Sequence, residues 1–172
     1  MKPDSARARS GGPAPEPAEL LRRAREVRGR AYAPYSNFRV GAVVLTEDGQ
    51  VFEGVNVENA SYRLTSCAEQ SAVAAMASTG SRGPIVAVAV VGDGDDPCTP
   101  CGACRQTILE FGPDATVYAS GDGGRPLART IAELLPYNFG ATRLAAGRRV
   151  GGLRGDDRVG GLRGDDRVGG AS

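Results

Sequence analysis

PIVAVAVVGDGDDPCTPCGACRQTILEFG, residues 84–112, reads as a strand, a loop and a helix in succession, and this reading decides the fold. Residues 84–92 form a continuous apolar run rich in β-branched side chains, the pattern of a central strand with both faces covered. Residues 104–112 read as a helix closed by Gly112. Between them stand Cys98, Cys101 and Cys104, three of the four cysteines in the chain. Their even spacing creates two overlapping P-C-x-x-C frames, 97–101 and 100–104.

A central strand needs neighbours, and the flanking sequence supplies them. Residues 38–46 and 51–58 read as strands joined by a turn at Asp48-Gly49, a hairpin signal. Residues 66–78, rich in Ala, read as a buried helix with Thr65 or Ser66 as cap and Glu69 in its first turn. Leu20, Leu21, Ala24, Val27 and Ala31 fall at helical spacing within 17–31. After Gly112 follow a strand (116–120), a turn (121–126) and a short helix (129–136). The order α-β-β-α-β-α-β-α implies a mixed sheet sandwiched by helices.

Both ends of the chain differ in composition from this core. Residues 1–15 are Pro, Ala, Gly, Ser and charge, too poor in apolar side chains to order. Residues 149–157 and 158–166 are identical RVGGLRGDD units followed by RVGG. Each offers one Val and one Leu among glycines and charges, which cannot build a core, so 148–172 reads as a flexible tail. The expected folded domain is therefore 16–147.

The chain has 172 residues and a formal net charge of +1, so no strong field draws it to nucleic acid or membrane. No apolar run approaches a bilayer's thickness, and the N-terminus lacks a secretory signal's apolar core. A cytoplasmic protein with reduced thiols is expected. The chain also has no histidine, which excludes Ser-His-Asp and Cys-His catalysis and every His-containing metal site. The single lysine is Lys2, so carboxylates and cysteines must carry the chemistry.

Cys67-Ala68-Glu69 lies at the start of one inner helix and Cys101 and Cys104 at the start of the next. Three thiolates with an open fourth position make a catalytic zinc site, whereas all four cysteines would make a closed structural one. Zinc with three thiolates carries 2 − 3 = −1, which two helix N-termini would offset. Glu69, beside the metal without binding it, could move a proton. A C-x-x-C redox site is a further reading, but it leaves Glu69 unexplained.

The signature Cys67-Ala68-Glu69 followed by Pro100-Cys101-x-x-Cys104 resembles that of the zinc-dependent cytidine deaminases, in the small, homotetrameric, three-cysteine form. YAPYSNFRVGA (32–42), GVNVENASY (54–62), PCGACRQ (100–106) and LLPYNFG (134–140) also resemble segments of that family. The resemblance implies an α/β three-layer α-β-α sandwich on a mixed, roughly five-stranded sheet. It implies one Zn2+ per subunit on Cys67, Cys101 and Cys104. The implied reaction is hydrolytic deamination of cytidine and 2′-deoxycytidine to the uridines, with zinc-activated water and Glu69 as proton shuttle. Asn56 and Glu58 would bind the sugar 3′-hydroxyl, Phe38 would stack near the pyrimidine, and the Ala68 N–H would contact the base. Tyr62 and Phe139 would contact sites of neighbouring subunits. The partner implied is a small nucleoside, with no nucleic acid and no membrane.

One position departs from the pattern. Many three-cysteine relatives carry arginine directly after C-A-E, and here that residue is Gln70. Similar enzymes also deaminate aminonucleosides of the blasticidin type, though the intact Asn56-x-Glu58 pair favours an unmodified sugar. In this reading Cys98 is a bystander beside the site.

Overall fold

The computed structural model describes residues 14–81, 83–141 and 144. Helix α1 (Pro17–Arg28) starts with proline, whose missing N–H is no loss in a first turn, and buries Leu20, Leu21, Ala24 and Val27 on one side. The hairpin β1 (Val40–Thr46) and β2 (Val51–Val55) turns at Gly49, which adopts φ +80°. A single 3-10 turn (Tyr62–Leu64) leads to α2 (Ala68–Ser78). Then come β3 (Ile85–Gly92), α3 (Gly102–Phe111), β4 (Thr116–Ser120), β5 (Leu127–Thr130) and α4 (Ile131–Leu134).

The sheet order is β2-β1-β3-β4-β5, with β3 and β4 parallel and every other pair antiparallel. Strand alternation divides the core into two. Val43, Leu45, Ala87, Ala89 and Val91 pack with Leu20, Leu21 and Ala24 of α1. Ala42, Val44, Val88, Val90 and Val117 pack on the other face with Ala68, Ala72, Val73, Met76, Ile108 and Leu109 of α2 and α3. The expected three-layer α/β sandwich on a mixed five-stranded sheet is thus the fold observed.

Two glycines set how closely helices approach the sheet. A Cβ on Gly54 would lie 2.3 Å from the Ala72 nitrogen and 2.4 Å from the Ala68 oxygen, so β2 presses directly on the α2 backbone. A Cβ on Gly41 would lie 2.1 Å from the Ala24 oxygen, so β1 presses equally on α1 from the other face.

Several boundaries differ from the sequence reading. Helix α1 stops at Arg28 and does not reach Ala31, because Gly29 caps it. Neither Thr65 nor Ser66 caps α2; the N-cap residue is Cys67. Strand β2 ends at Val55, and Val57 continues only as isolated bridges to Tyr32 and Ser66. Arg129 and Thr130, read as the start of the last helix, instead end the fifth strand, and Thr130 then forms a capping box with Glu133 ahead of Ile131. One compact unit ends at Asn138 and a second begins at Phe139. In the second, the Leu144 N–H donates to the Gly140 carbonyl at 3.1 Å. The expected domain end at residue 147, the repeat tail at 148–172 and nearly all of the N-terminal tail lie outside the described residues.

Candidate active site

Two helices begin at one point. Cys67 and Cys101 are the N-cap residues of α2 and α3, both in extended conformation, and Cys104 lies one turn into α3. The first intrahelical bonds run from Ser71 N–H to the Cys67 carbonyl and from Arg105 N–H to the Cys101 carbonyl. Neither helix has a side-chain cap, so the free ends of both helices, with their partial positive charge, face the sulfurs.

The ligand atoms of Cys67, Cys101 and Cys104 all lie within 4.8 Å of one another, and the Cys67 and Cys101 sulfurs are 3.9 Å apart. Tetrahedral sulfurs bound ~2.3 Å from one zinc ion stand about 3.8 Å apart, so the three thiols fit that metal. Cys98 is not one of the three converging thiols. Burial pushes its thiol up to about 11, with added effects from Glu69 and Cys67. The hydrogen bond between Cys67 and Cys104 draws the Cys67 thiol down to about 6 and pushes that of Cys104 upward.

The loop carrying Cys98 and Cys101 is held from two sides. Asp122 N–H donates to the Gly94 carbonyl at 2.7 Å, and Cys98 N–H donates to the Ser120 carbonyl at 3.3 Å. Arg105 donates from Nε to the Pro100 carbonyl at 2.7 Å and from Nη1 to the Leu134 carbonyl at 2.8 Å. Arg28, only 12% exposed in its side chain, bonds the Gly92 carbonyl and pairs with Asp93 and Asp122.

Glu69 is the second residue of α2 and only 4% exposed. Burial raises the proton affinity of its carboxyl above that of an ordinary carboxylate. Its charge also acts on Cys67, Cys98 and Cys104, which places it among them. Ala68, the first residue of α2, is fully buried.

The remaining expected residues gather around residues 35–40. Asn56 Nδ2 donates to the Phe38 carbonyl at 2.9 Å, and Val40 N–H donates to Asn56 Oδ1 at 2.8 Å. Glu58 Oε2 accepts from the N–H groups of Tyr35 and Ser36 at 2.8 and 3.2 Å, and Oε1 accepts from the Ser36 hydroxyl. The Ser36 hydroxyl bond and those two N–H groups hold the Glu58 carboxyl below its usual range. Phe38 is 43% exposed, and its ring tip and Cys98 both lie against Gly92: a Cβ there would lie 2.7 Å from Cys98 Cβ and 3.0 Å from Phe38 Cζ. Tyr35, Ser36, Glu58, Tyr62 and Thr65 line a cavity of about 430 Å³. The Tyr35 and Tyr62 rings meet edge to face at 6.1 Å.

Of the residues expected from sequence, the structure brings Cys67, Cys101, Cys104 and Glu69 together. It joins Asn56, Glu58 and Phe38 through one loop and sets Tyr62 on the cavity beside Glu58. Phe139 opens the second unit. Sequence reasoning missed Ser36 and Tyr35 as partners of Glu58. A signal was present in Ser36-Asn37, since serine and asparagine favour tight turns and Asn37 has φ +56°.

Residues 15–120 match the cytidine and deoxycytidylate deaminase zinc-binding region. The chain is 48% identical over 123 residues to a cytidine deaminase of Halalkalibacterium halodurans, covering 71% of this chain and 92% of that one. It is 45% identical over 119 residues to a cytidine deaminase of Mycobacterium tuberculosis, covering 69% and 86%. The crystal structure of a cytidine deaminase from Burkholderia pseudomallei superposes with a TM-score of 0.67 at 46% identity, covering 70% of this chain and 96% of that one.

Proposed function

The chain belongs to the cytidine and deoxycytidylate deaminase family, and from that premise we propose that it hydrolyses the C4 amine of cytidine and 2′-deoxycytidine, giving the uridines and ammonia. It is then a zinc-dependent hydrolase acting on the C–N bond of a cyclic amidine. The observation that carries this reading is the convergence of three thiols at a spacing that fits zinc, with buried Glu69 beside them.

Cys67, Cys101 and Cys104 would hold the metal, one per chain. Bound there, zinc would supply Lewis acidity toward the attacking water. Glu69 takes a proton from that water and delivers it to ring N3. The water's oxygen joins C4, and Glu69 carries its second proton to the departing amine. The two protons of water thus end on N3 and on ammonia, and the C4–N bond breaks. The raised affinity of Glu69 for protons suits both halves of this transfer.

Around this centre, Ala68 N–H contacts the base and Phe38 stacks near it. Asn56 and Glu58 bind the 3′-hydroxyl. Glu58 held as an acceptor suits a hydroxyl that donates. Tyr62, at 76% exposure, together with exposed Leu64 and Tyr35, leaves apolar surface at the cavity's edge that suits cover by other subunits. The reading includes a homotetramer in the cytoplasm, with Tyr62 and Phe139 meeting neighbouring sites. No helix among the described residues is long and apolar enough to cross a membrane.

The test is ultraviolet absorbance on cytidine, deoxycytidine, CMP and blasticidin S. Ammonia release from the free nucleosides is expected, with Glu69→Ala keeping its zinc and losing turnover by about 10²–10⁴-fold. No amine loss from either free nucleoside refutes the reading.

A further inference from the structure

The Ser36 hydroxyl sits at the crossing of two functions. It donates to Glu58 Oε1 and accepts from the Phe38 N–H at 3.0 Å. On Glu58, Oε2 receives two backbone N–H bonds from Tyr35 and Ser36. An ionised carboxylate offers about four acceptor positions, and the loop fills three of them. One position, on the same oxygen that takes the Ser36 proton, is left for one donor from outside the chain.

The Phe38 peptide is fixed as fully. Its N–H goes to Ser36, its carbonyl takes Asn56 Nδ2, and the next N–H, that of Arg39, goes to Asp93 Oδ2 at 2.8 Å. Both sugar-side residues therefore hold the segment bearing the aromatic ring, Asn56 directly and Glu58 through Ser36.

We propose that Ser36 is a positioning residue that locks Glu58 and Phe38 into one unit, so that the carboxylate's remaining acceptor position and the ring are set for the same nucleoside. This rests on the deaminase reading above. Losing the hydroxyl removes a charge-assisted bond, frees a second acceptor position on Glu58 and leaves the Phe38 N–H without its acceptor. Water can refill both places, so the fold and the metal centre stay intact while preorganisation falls.

The experiment compares wild type, Ser36→Ala and Ser36→Thr on cytidine and on 3′-deoxycytidine, with zinc content and amide exchange measured on each protein. For Ser36→Ala the expected KM for cytidine rises about ten-fold with kcat within about two-fold. Ser36→Thr, which keeps the hydroxyl, restores KM. On 3′-deoxycytidine, which gives Glu58 no donor, the alanine effect shrinks to about two-fold or less. The Phe38 amide exchanges faster while the Val88 amide in β3 does not. An equal loss on both substrates, a fall in kcat together with zinc, or an unchanged Phe38 amide and KM overturns the proposal. Failure of the wild type to act on either nucleoside overturns the deaminase reading instead, and Ser36 then stands or falls on the exchange of the Phe38 amide.

Discussion

Val57 and Ser66 exchange both of their backbone hydrogen bonds, at 2.9 and 3.0 Å. Ser66 is followed by Cys67, and Val57 stands between Asn56 and Glu58. One two-residue bridge therefore ties the Asn56–Glu58 segment to the first of the three converging cysteines. Val57→Pro removes one of the two bonds and is expected to destabilise the protein by roughly 1–3 kcal/mol, raise KM and loosen zinc together. Val57→Ala, at a position 44% exposed, should do none of these. Thermal unfolding and zinc competition with a chromogenic chelator check both variants, and equal behaviour of the two would count against the bridge.

Gly54→Ala should move α2. The new methyl group would meet backbone at 2.3 and 2.4 Å, which no side-chain rotation relieves. A loss of about 1–3 kcal/mol or more is expected, with weaker zinc retention because Cys67 begins the displaced helix. Calorimetry and metal analysis of the same preparation give the two readouts.

Cys98→Ser should keep one zinc per chain and most activity, since Cys98 is not among the converging thiols. Cys101→Ser should lose the metal. Matching losses in the two variants would point to a closed four-cysteine site. If oxidation inactivates the enzyme through a Cys98–Cys101 disulfide, Cys98→Ser also protects it, and unchanged sensitivity discards that link.

Gln70→Arg adds a cation one residue after Glu69, beside the cluster of three thiols. A three-thiolate centre is anionic once metallated, so the arginine should leave zinc bound and activity equal or higher. A large loss of zinc would sink the charge argument.

Acid should unlock α1 from the loop beside the site. Asp93 is held below the ordinary carboxylate range by Arg39, and Asp122 by Arg28. A carboxylate whose folded value lies below its unfolded one stabilises the fold above the unfolded value, here 3.8, and that stability is lost as pH falls further. Asp93→Asn is therefore expected to be less stable at neutral pH and to lose less between neutral pH and acid below about pH 4. Urea midpoints across that range decide it, and parallel curves for both proteins would remove Asp93 from the account.

The convergence of Cys67, Cys101 and Cys104 beside Glu69 was legible because each lies next to a helix start, where local sequence states position. The central strand was legible for a similar reason, since 84–92 is apolar throughout. The fifth strand was not: Leu127–Thr130 is mostly exposed and carries no apolar alternation, so only its pairing with β4 identifies it. Ala31 continued a helical spacing, but Gly29 ended the helix first. The roles of Ser36 and Asp93 depend on partners 22 and 54 residues away, which periodicity cannot reveal. Asn56 was singled out for the sugar, yet its amide also braces the peptides on either side of Arg39.

Gly54 and Gly41 are near neighbours across the hairpin, Gly54 paired with Ala42 and Gly41 with Val55. They open toward opposite faces, and a helix backbone fills each opening. At this waist the thickness of the molecule is gauged by main chain alone. Core side chains elsewhere can drift in size over evolutionary time, and the start of α2 keeps its depth relative to the sheet. A designer recasting the pocket for another nucleoside therefore has a fixed datum to build from, provided that both glycines are left alone.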